Sequence, residues 1–394
     1  MSAPFRTIHF QMDAPRGGGR SCPIDSVSRA GSPQAAPGGT MPGMTGIESQ
    51  LFSTTGFRLE SGTVLPVLEL AYETYGTLSP QRDNAILIVH GYTSSHHAAG
   101  RYAPGKHGRG VPAEEVGWFD PLIGPGAAID TDRFFVVSVN ALGSCHGSTG
   151  PASTDPRTGK PYGPTFPMVT IRDIVAAQKL LVDGLGLPGL AAVIGPSMGG
   201  FQSFQWAASF PGFARAVVPS VTAPTAPNHA GALARLQSRL AADPNWNGGW
   251  YYENGGIAAT LEALRFETLM SYGLNEILAA QIPDAGAREA AIRAQARRWA
   301  TTYDGHSMVV LRQAIDSFGI AHQYDRVKSK VLYVQSPTDK LFDIALSPGY
   351  VSDMRRAGID VTYVELPSDR GHMASHADAA LWAPILARFL ERLT

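Results

Sequence analysis

A serine sits at the centre of Gly195-Pro196-Ser197-Met198-Gly199. This is the G-x-S-x-G pattern in which small flanking residues let the backbone turn sharply and leave the hydroxyl exposed at the tip. A serine hydroxyl is a weak nucleophile until a base takes its proton and an acid orients that base. In serine enzymes built on a strand–turn–helix, the acid and then the histidine follow the nucleophile along the chain, each after a later strand. Asp339 and His372 satisfy that order. Asp343 is the rival acid and Asp369 a lesser one. His376, about one helical turn beyond His372, is expected to be exposed, and His306 and His322 fall in or beside a helical stretch. A tetrahedral intermediate needs two backbone donors at its oxyanion. One is expected from the N–H of Met198, the other from His90-Gly91-Tyr92-Thr93, at the N–H of Tyr92. Cys145 next to His146 invites a thiol nucleophile, but adjacent residues of an extended segment face opposite sides, so the cysteine reads as structural.

The elements that must position these residues are legible in the hydropathy pattern. Leu190–Ile194 reads as a strand running into the serine turn and Met198–Ser209 as the helix leaving it, closed by Phe210-Pro211. That helix aims its free N–H groups and positive dipole end at the reacting centre. Further strands are expected at Ile86–Val89, Phe134–Val137, Ala214–Val221, Val331–Val334 and Val361–Leu366. Helices are expected at Ile171–Leu185, Ile344–Arg356 and Ala380–Arg392. Alternation of this kind from about Leu51 predicts an α/β fold with a mostly parallel central sheet. It stops between 223 and 323, where Ala230–Leu240, Ile257–Tyr272, Glu276–Ala280 and Ala287–Ala300 read as helices. The expected organisation is a disordered tail over 1–45, a catalytic core from 46–222 and 324–394, and a helical lid insertion over 223–323. An extra helical layer of the core is the alternative for the insertion.

Composition narrows the function classes. Lysine plus arginine number 32 against 33 acidic residues, so no basic stripe is available to neutralise a nucleic acid. No apolar run is long enough to span a bilayer, and no dinucleotide fingerprint or metal-ligand cluster appears, so no bound cofactor or metal is expected. Two unpaired-looking cysteines, Cys22 and Cys145, argue against a disulfide framework and fit a cytoplasmic protein. Residues 1 to about 44 are rich in Gly, Pro, Ser and Ala without hydrophobic period. They lack the features of a secretory signal, and Asp13 and Asp25 count against a transit peptide. Met41 and Met44 offer the alternative of an upstream start codon.

From about Phe57 onward the chain resembles the homoserine O-acetyltransferase family of α/β-hydrolases. The resemblance is carried by Ala128–Val137, by Asn140-Ala141-Leu142-Gly143-Ser144-Cys145-His146-Gly147-Ser148-Thr149-Gly150-Pro151, and by Tyr162–Pro167 with Thr170–Asp173. The elbow Ser197-Met198-Gly199-Gly200 and Gly371-His372 add to it. It implies an α/β-hydrolase fold and transfer of an acetyl or succinyl group from an acyl-coenzyme A to an amino-acid hydroxyl through an acyl-serine. It also implies a role in methionine biosynthesis, small-molecule substrates and a homodimer through the helical insertion. The family's triad falls on Ser197, Asp339 and His372, and its acceptor-site arginine and tyrosine on Arg265 and Tyr272. Arg265 would fork to an acceptor carboxylate; the alternative is a surface ion pair with Glu262 or Glu267. The chain departs from the family at Pro196 before the nucleophile, in a shortened insertion around Trp299–His306, and at Met373, where an acid thought to meet the acceptor's amino group usually follows the histidine. Acyl transfer is the expected activity; the alternative is an esterase cleaving small acyl esters with water as acceptor.

Overall fold

A computed structural model describes residues 44–393 apart from Asn228. Most of the expected tail, residues 1–43, lies outside the described residues. Eight strands form one sheet: β1 (Gln50–Arg58), β2 (Val64–Tyr75), β3 (Ala85–Val89), β4 (Phe135–Val139), β5 (Leu190–Pro196), β6 (Ala214–Ser220), β7 (Lys330–Gln335) and β8 (Val361–Glu365). Their spatial order is β8-β7-β6-β5-β3-β4-β2-β1. β3 to β8 run parallel, and β1 and β2 join antiparallel at one edge.

The parallel strands read as continuous apolar runs because both faces are covered. Period-two alternation sends Leu87, Val89, Val193 and Val217 into one core, with α1 (Ile171–Gly184) and α2 (Met198–Ser209). Ile86, Ile88, Ile194 and Val218 enter the opposite core, against Trp382, Leu386 and Leu390 of the C-terminal helix Ala379–Glu391. α1 begins with a reciprocal cap: Thr170 Oγ1 accepts from Asp173 N, and Asp173 Oδ2 accepts from Thr170 N, both at 3.0 Å.

Among the described residues five α-helices lie between β6 and β7: α3 (Ala232–Ala241), α4 (Ala258–Ser271), α5 (Leu274–Leu278), α6 (Ala285–Ala300) and α7 (Gly305–Asp316). They bury two small clusters of their own, one around Leu240, Ile257, Tyr303 and Met308, the other around Leu269, Leu274, Ile292 and Ala296. α7 also sends Val310, Leu311, Ala314 and Ile315 into the main core. Its start, Gly305-His306-Ser307, carries no helical hydropathy period; Asp304 makes it a helix by accepting from Ser307 N at 2.7 Å.

Two differences from the sequence reading have plain causes. β2 was hidden because Pro66, Glu69 and Glu73 interrupt its apolar run. Glu73 is nevertheless fully buried, its carboxylate accepting from the hydroxyls of Tyr75 and Tyr102, each at 2.5 Å, and facing His97 Nδ1 at 3.1 Å. The expected helix Ile344–Arg356 is split into a 3-10 turn, Ile344–Leu346, and α8 (Ser347–Arg356), with Pro348 in the first turn of the helix proper.

Candidate active site

The serine turn joins β5 to α2, and Ser197 has φ 56° and ψ −121°. A non-glycine residue in that region costs roughly 1–3 kcal/mol and persists only where its surroundings fix it. Here Ser197 N donates to Ser220 O at 2.9 Å, and Thr222 Oγ1 donates to Ser197 O at 2.8 Å. Glycine is required on both sides of the serine. A Cβ at Gly195 or Gly199 would lie 2.4 Å or 2.2 Å from the carbonyl oxygen of Val89 on the neighbouring strand. Thus the close approach of β3 to the turn dictates the small residues, and the strained serine presents its side chain at the sheet's C-terminal edge.

Asp339 and His372 meet on the loops after β7 and β8. His372 Nδ1 lies 2.8 Å from Asp339 Oδ2, with the carboxylate side chain fully buried and the imidazole nearly so. The other carboxylate oxygen, Oδ1, accepts from Leu341 N at 2.8 Å, which holds the acid's orientation. A carboxylate at Nδ1 fixes that nitrogen as the protonated one and leaves Nε2 as the lone-pair face. The imidazole is held between the Phe342 and Tyr272 rings, with centroids at 5.8 Å and 4.8 Å. The rival acids are otherwise engaged: Asp343 caps the 3-10 turn by accepting from Ala345 N, and Asp369 is an exposed partner of Arg370.

The loop carrying Tyr92 is fixed from two sides. His90 is fully buried, and its Nε2 accepts from Ala141 N at 2.9 Å, so the ring proton is on Nδ1. That Nδ1–H donates to Gly91 O at 2.7 Å. Burial lowers the His90 pKa to about 4, which keeps the ring neutral. C=O and N–H point opposite ways across a trans peptide, so holding the Gly91 carbonyl also aims the Tyr92 N–H. Behind it, Trp206 donates to Gln178, Gln178 to Gln202, and Gln202 to the His90 carbonyl, at 2.8, 2.6 and 3.0 Å. From the helical side, Tyr303 Oη donates to Tyr92 O at 2.7 Å and Trp299 Nε1 to Thr93 O at 3.1 Å. Among the described residues neither Tyr92 N nor Met198 N has a hydrogen-bond acceptor. Free N–H groups on two fixed turns are what an oxyanion requires.

Ser197 and His372 open onto one cavity of about 720 Å³, roofed by α4 and α6. Arg265 of α4 and Tyr272, just past its end, line it too. Neither acid expected to pair with Arg265 does so: Glu262 pairs with Arg297 and Glu267 with Arg239. Arg265 instead lies over the Trp299 ring at 5.1 Å and donates through Nη1 to Thr93 Oγ1 at 2.7 Å, leaving a buried Nε without a partner. Burial pushes its pKa down, the signature of a guanidinium held away from water.

His376 was expected to be exposed and is not. It lines the cavity beside His372 and Met373, and burial, then the charge of His372, lowers its pKa to about 4. The signal that would have found it is the helical spacing from His372, which puts the two rings on one face. Cys145 and His146 do not pair. Burial raises the thiol's pKa, its Sγ faces Thr302 O at 3.9 Å, and His146 Nδ1 lies 3.1 Å from Gly110 O.

Residues 84–378 match the model of the alpha/beta hydrolase fold family. The chain is 36% identical to the homoserine O-acetyltransferase of Solidesulfovibrio magneticus over 91% of this chain and 95% of that one. It is also 36% identical to the homoserine O-succinyltransferase of Methylibium petroleiphilum, over 85% and 91% of the two chains. The chain belongs to the homoserine O-acyltransferase family of the α/β-hydrolase superfamily. The enzyme class read from the sequence, an acyltransferase of that superfamily, stands with it. Among solved structures, esterase E22 superposes with a TM-score of 0.77 at 31% identity, over 87% of this chain and 100% of that one. Among the described residues no helix is long and apolar enough to cross a membrane.

Sequence reasoning missed what holds the loop carrying Tyr92 in place. Trp299 and Tyr303 donate to carbonyl oxygens of residues distant in the chain, and His90 is fixed by the distant Ala141 N; no spacing rule links these pairs.

Proposed function

We propose that this enzyme transfers a short acyl group from an acyl-coenzyme A to the hydroxyl of a small, carboxylate-bearing, amino-acid-like acceptor, by way of an acyl-serine on Ser197. The observation that carries the reading is Arg265: a buried guanidinium, unclaimed by either nearby acid, in the same cavity as Ser197 and His372. A fork of donors in a water-poor cavity recognises a carboxylate.

In this reading His372 Nε2 takes the Ser197 proton as the hydroxyl oxygen attacks the thioester carbonyl. The Met198 and Tyr92 N–H groups receive the oxyanion, and Asp339 stabilises the imidazolium. His372 returns the proton to the departing coenzyme A sulfur, leaving the acyl group on Ser197. The acceptor hydroxyl, aligned through Arg265 and Tyr272, then gives its proton to Nε2 and attacks the acyl-serine. His372 finally protonates Ser197, and the new ester leaves. We assign residues 223–323 the role of a lid: the roof formed by α4 and α6 supports it.

A hydrolytic reading has one observation in its favour. Met373, next to the base, packs toward the apolar cluster of Leu269, Leu274 and Ile292 and offers an acceptor no charge. Esterase E22 is a structural neighbour consistent with that chemistry. Acetyl-coenzyme A with and without L-homoserine, products identified by mass, separates the two. Acyl transfer predicts an O-acetyl product formed faster than free acetate; acetate release alone, independent of acceptor, would establish the esterase.

A further inference from the structure

An amino-acid acceptor is a zwitterion, and Arg265 answers only its carboxylate. The wall beside the base, Met373, Tyr272 and His376, holds no acid for the ammonium. Asp339 is engaged by His372 and Leu341 N, and Glu262 and Glu267 are tied to Arg297 and Arg239. Among the described residues the carboxylates that line the cavity are Glu114 and Glu115, on the segment that follows the Tyr92 loop.

Glu115 is set apart from its neighbour by how it is held and by the charges that reach it. Its backbone carbonyl accepts from His97 Nε2 at 3.1 Å, and His97 Nδ1 in turn faces the buried carboxylate of Glu73 at 3.1 Å. Just beyond it, Gly117 N donates to Gly100 O at 3.1 Å, Trp118 N to His97 O at 3.2 Å and Trp118 Nε1 to Ser95 O at 2.9 Å. Residue 115 is thereby stitched to the continuation of the Tyr92 loop, which fixes its backbone relative to the oxyanion donors. Burial raises the pKa of its side chain, and His97, Arg265 and Arg298 oppose that rise. Arg265 is therefore within electrostatic reach, yet among the described residues the Glu115 carboxylate has no hydrogen bond or close ion pair. A guanidinium and a carboxylate that share a cavity and feel one another without touching suit a molecule that carries the two opposite charges.

We propose that Glu115 receives the ammonium of the amino-acid acceptor, so that Arg265 and Glu115 together recognise a zwitterion and Glu115 supplies the charge that Met373 does not. This rests on the acyl-transfer reading above and assigns its acceptor site one further residue. With both charges of the acceptor met by protein groups, neither is left unpaired when the cavity excludes water. A carboxylate that served only to offset Arg265 would have the opposite effect on its removal: the guanidinium would attract every carboxylate more strongly, whatever the rest of the acceptor carries.

The test uses a nearly isosteric pair, L-homoserine and (S)-2,4-dihydroxybutyrate, which differ in an ammonium against a hydroxyl. For each, the KM as acceptor from acetyl-coenzyme A and the inhibition constant against p-nitrophenyl acetate turnover are measured on the purified full chain, with a thermal melt to confirm that every variant is folded. Glu115→Gln should raise both constants for homoserine about tenfold or more with kcat little altered, while those for the dihydroxy acid stay level or fall. Glu115→Asp should recover part of the loss. Constants that fall for both acids alike in Glu115→Gln, or a ratio between the probes that does not move, overturn the proposal. So does an equal effect from Glu114→Gln, which would make the effect one of net charge at the cavity. O-acetylhomoserine formed with an unmoved ratio refutes the role of Glu115 and leaves acyl transfer standing. A ratio of inhibition constants that shifts as expected without any ester product refutes acyl transfer and supports Glu115 as the ammonium's partner. Homoserine that neither reacts nor competes overturns both.

Discussion

Each residue around Ser197 has a distinct task, and substitutions should separate them. Ser197→Ala removes the hydroxyl on which the proposed acyl-enzyme forms. Mass spectrometry after exposure to p-nitrophenyl acetate should show no adduct, with turnover down by about four orders of magnitude or more. An adduct retained in that variant would move the nucleophile elsewhere. Asp339→Asn keeps the shape but loses the negative charge and permits the wrong histidine tautomer, so kcat should fall on the order of 10⁴-fold with KM little altered. Asp339 is distinguished from Asp343 and Asp369 by what its oxygens touch, Nδ1 of His372 at 2.8 Å and Leu341 N at 2.8 Å. Met373→Asp places a carboxylate where the wall has none. Its inhibition constant for homoserine should drop several-fold relative to that for 2,4-dihydroxybutyrate, and an unchanged ratio would mean that residue 373 does not face the acceptor.

At the scale of elements, the site depends on how closely the serine turn approaches β3. A Cβ at Gly199 would meet the Val89 carbonyl at 2.2 Å, and both partners are backbone, so neither can swing aside. Gly199→Ala should therefore destabilise the fold by about 3 kcal/mol or more, read as a fall of several degrees in Tm, whereas Gly212→Ala, with open space around it, is strained only by its φ of 78°. Tyr303→Phe deletes one hydrogen bond to the Tyr92 carbonyl and little else. A loss of about 1 kcal/mol in stability and a fall in kcat of roughly tenfold are expected, with the acceptor KM much less affected. The strands and helices that flank Ser197 were legible because each is a clean apolar run or a clean 3.6-residue period. β2 and α7 were not. β2 buries Glu73, which neighbouring Tyr75 and the more distant Tyr102 and His97 make tolerable, and α7 owes its first turn to the Asp304 cap. Hydropathy period alone reveals neither a strand whose buried charge is satisfied partly from other loops nor a helix that starts on a polar cap.

For the molecule as a whole, buried neutral histidines link the site to acid stability. His90 and His146 both have folded pKa values of about 4, lowered first by burial, against 6.5 in an open chain. Between those limits the unfolded chain binds protons that the native protein excludes. The stability they confer is complete above pH 6.5, declines as pH falls toward 4, and is then fully lost. Each contributes about 3 kcal/mol to that decline, a large share of the 5–15 kcal/mol typical of a folded domain. Tm should thus fall steeply from pH 6.5 to 4, and His146→Gln should flatten the slope; an equally steep loss in that variant would place the effect elsewhere. At this scale chain order conveyed the proposed trio, whose acid and base meet at 2.8 Å, and alternation conveyed the fold. Neither could convey which polar side chains face the cavity, as His376 illustrates, because that depends on how α4 and α6 lie over the sheet.

The grip of Trp299 and Tyr303 on the Tyr92–Thr93 turn has a consequence for how such enzymes diversify. At both contacts the acceptor is a main-chain carbonyl, which every residue type supplies. The seam between core and helical roof is in that respect indifferent to side-chain identity on the core side and exacting on the roof side. A roof borrowed from a relative keeps those two contacts if it brings an indole and a phenol to the same places, but it must also bring the arginine that meets Thr93 Oγ1 and the carbonyl that accepts from Tyr92 Oη. The proposed acceptor pocket is to that extent separable from the floor beneath it.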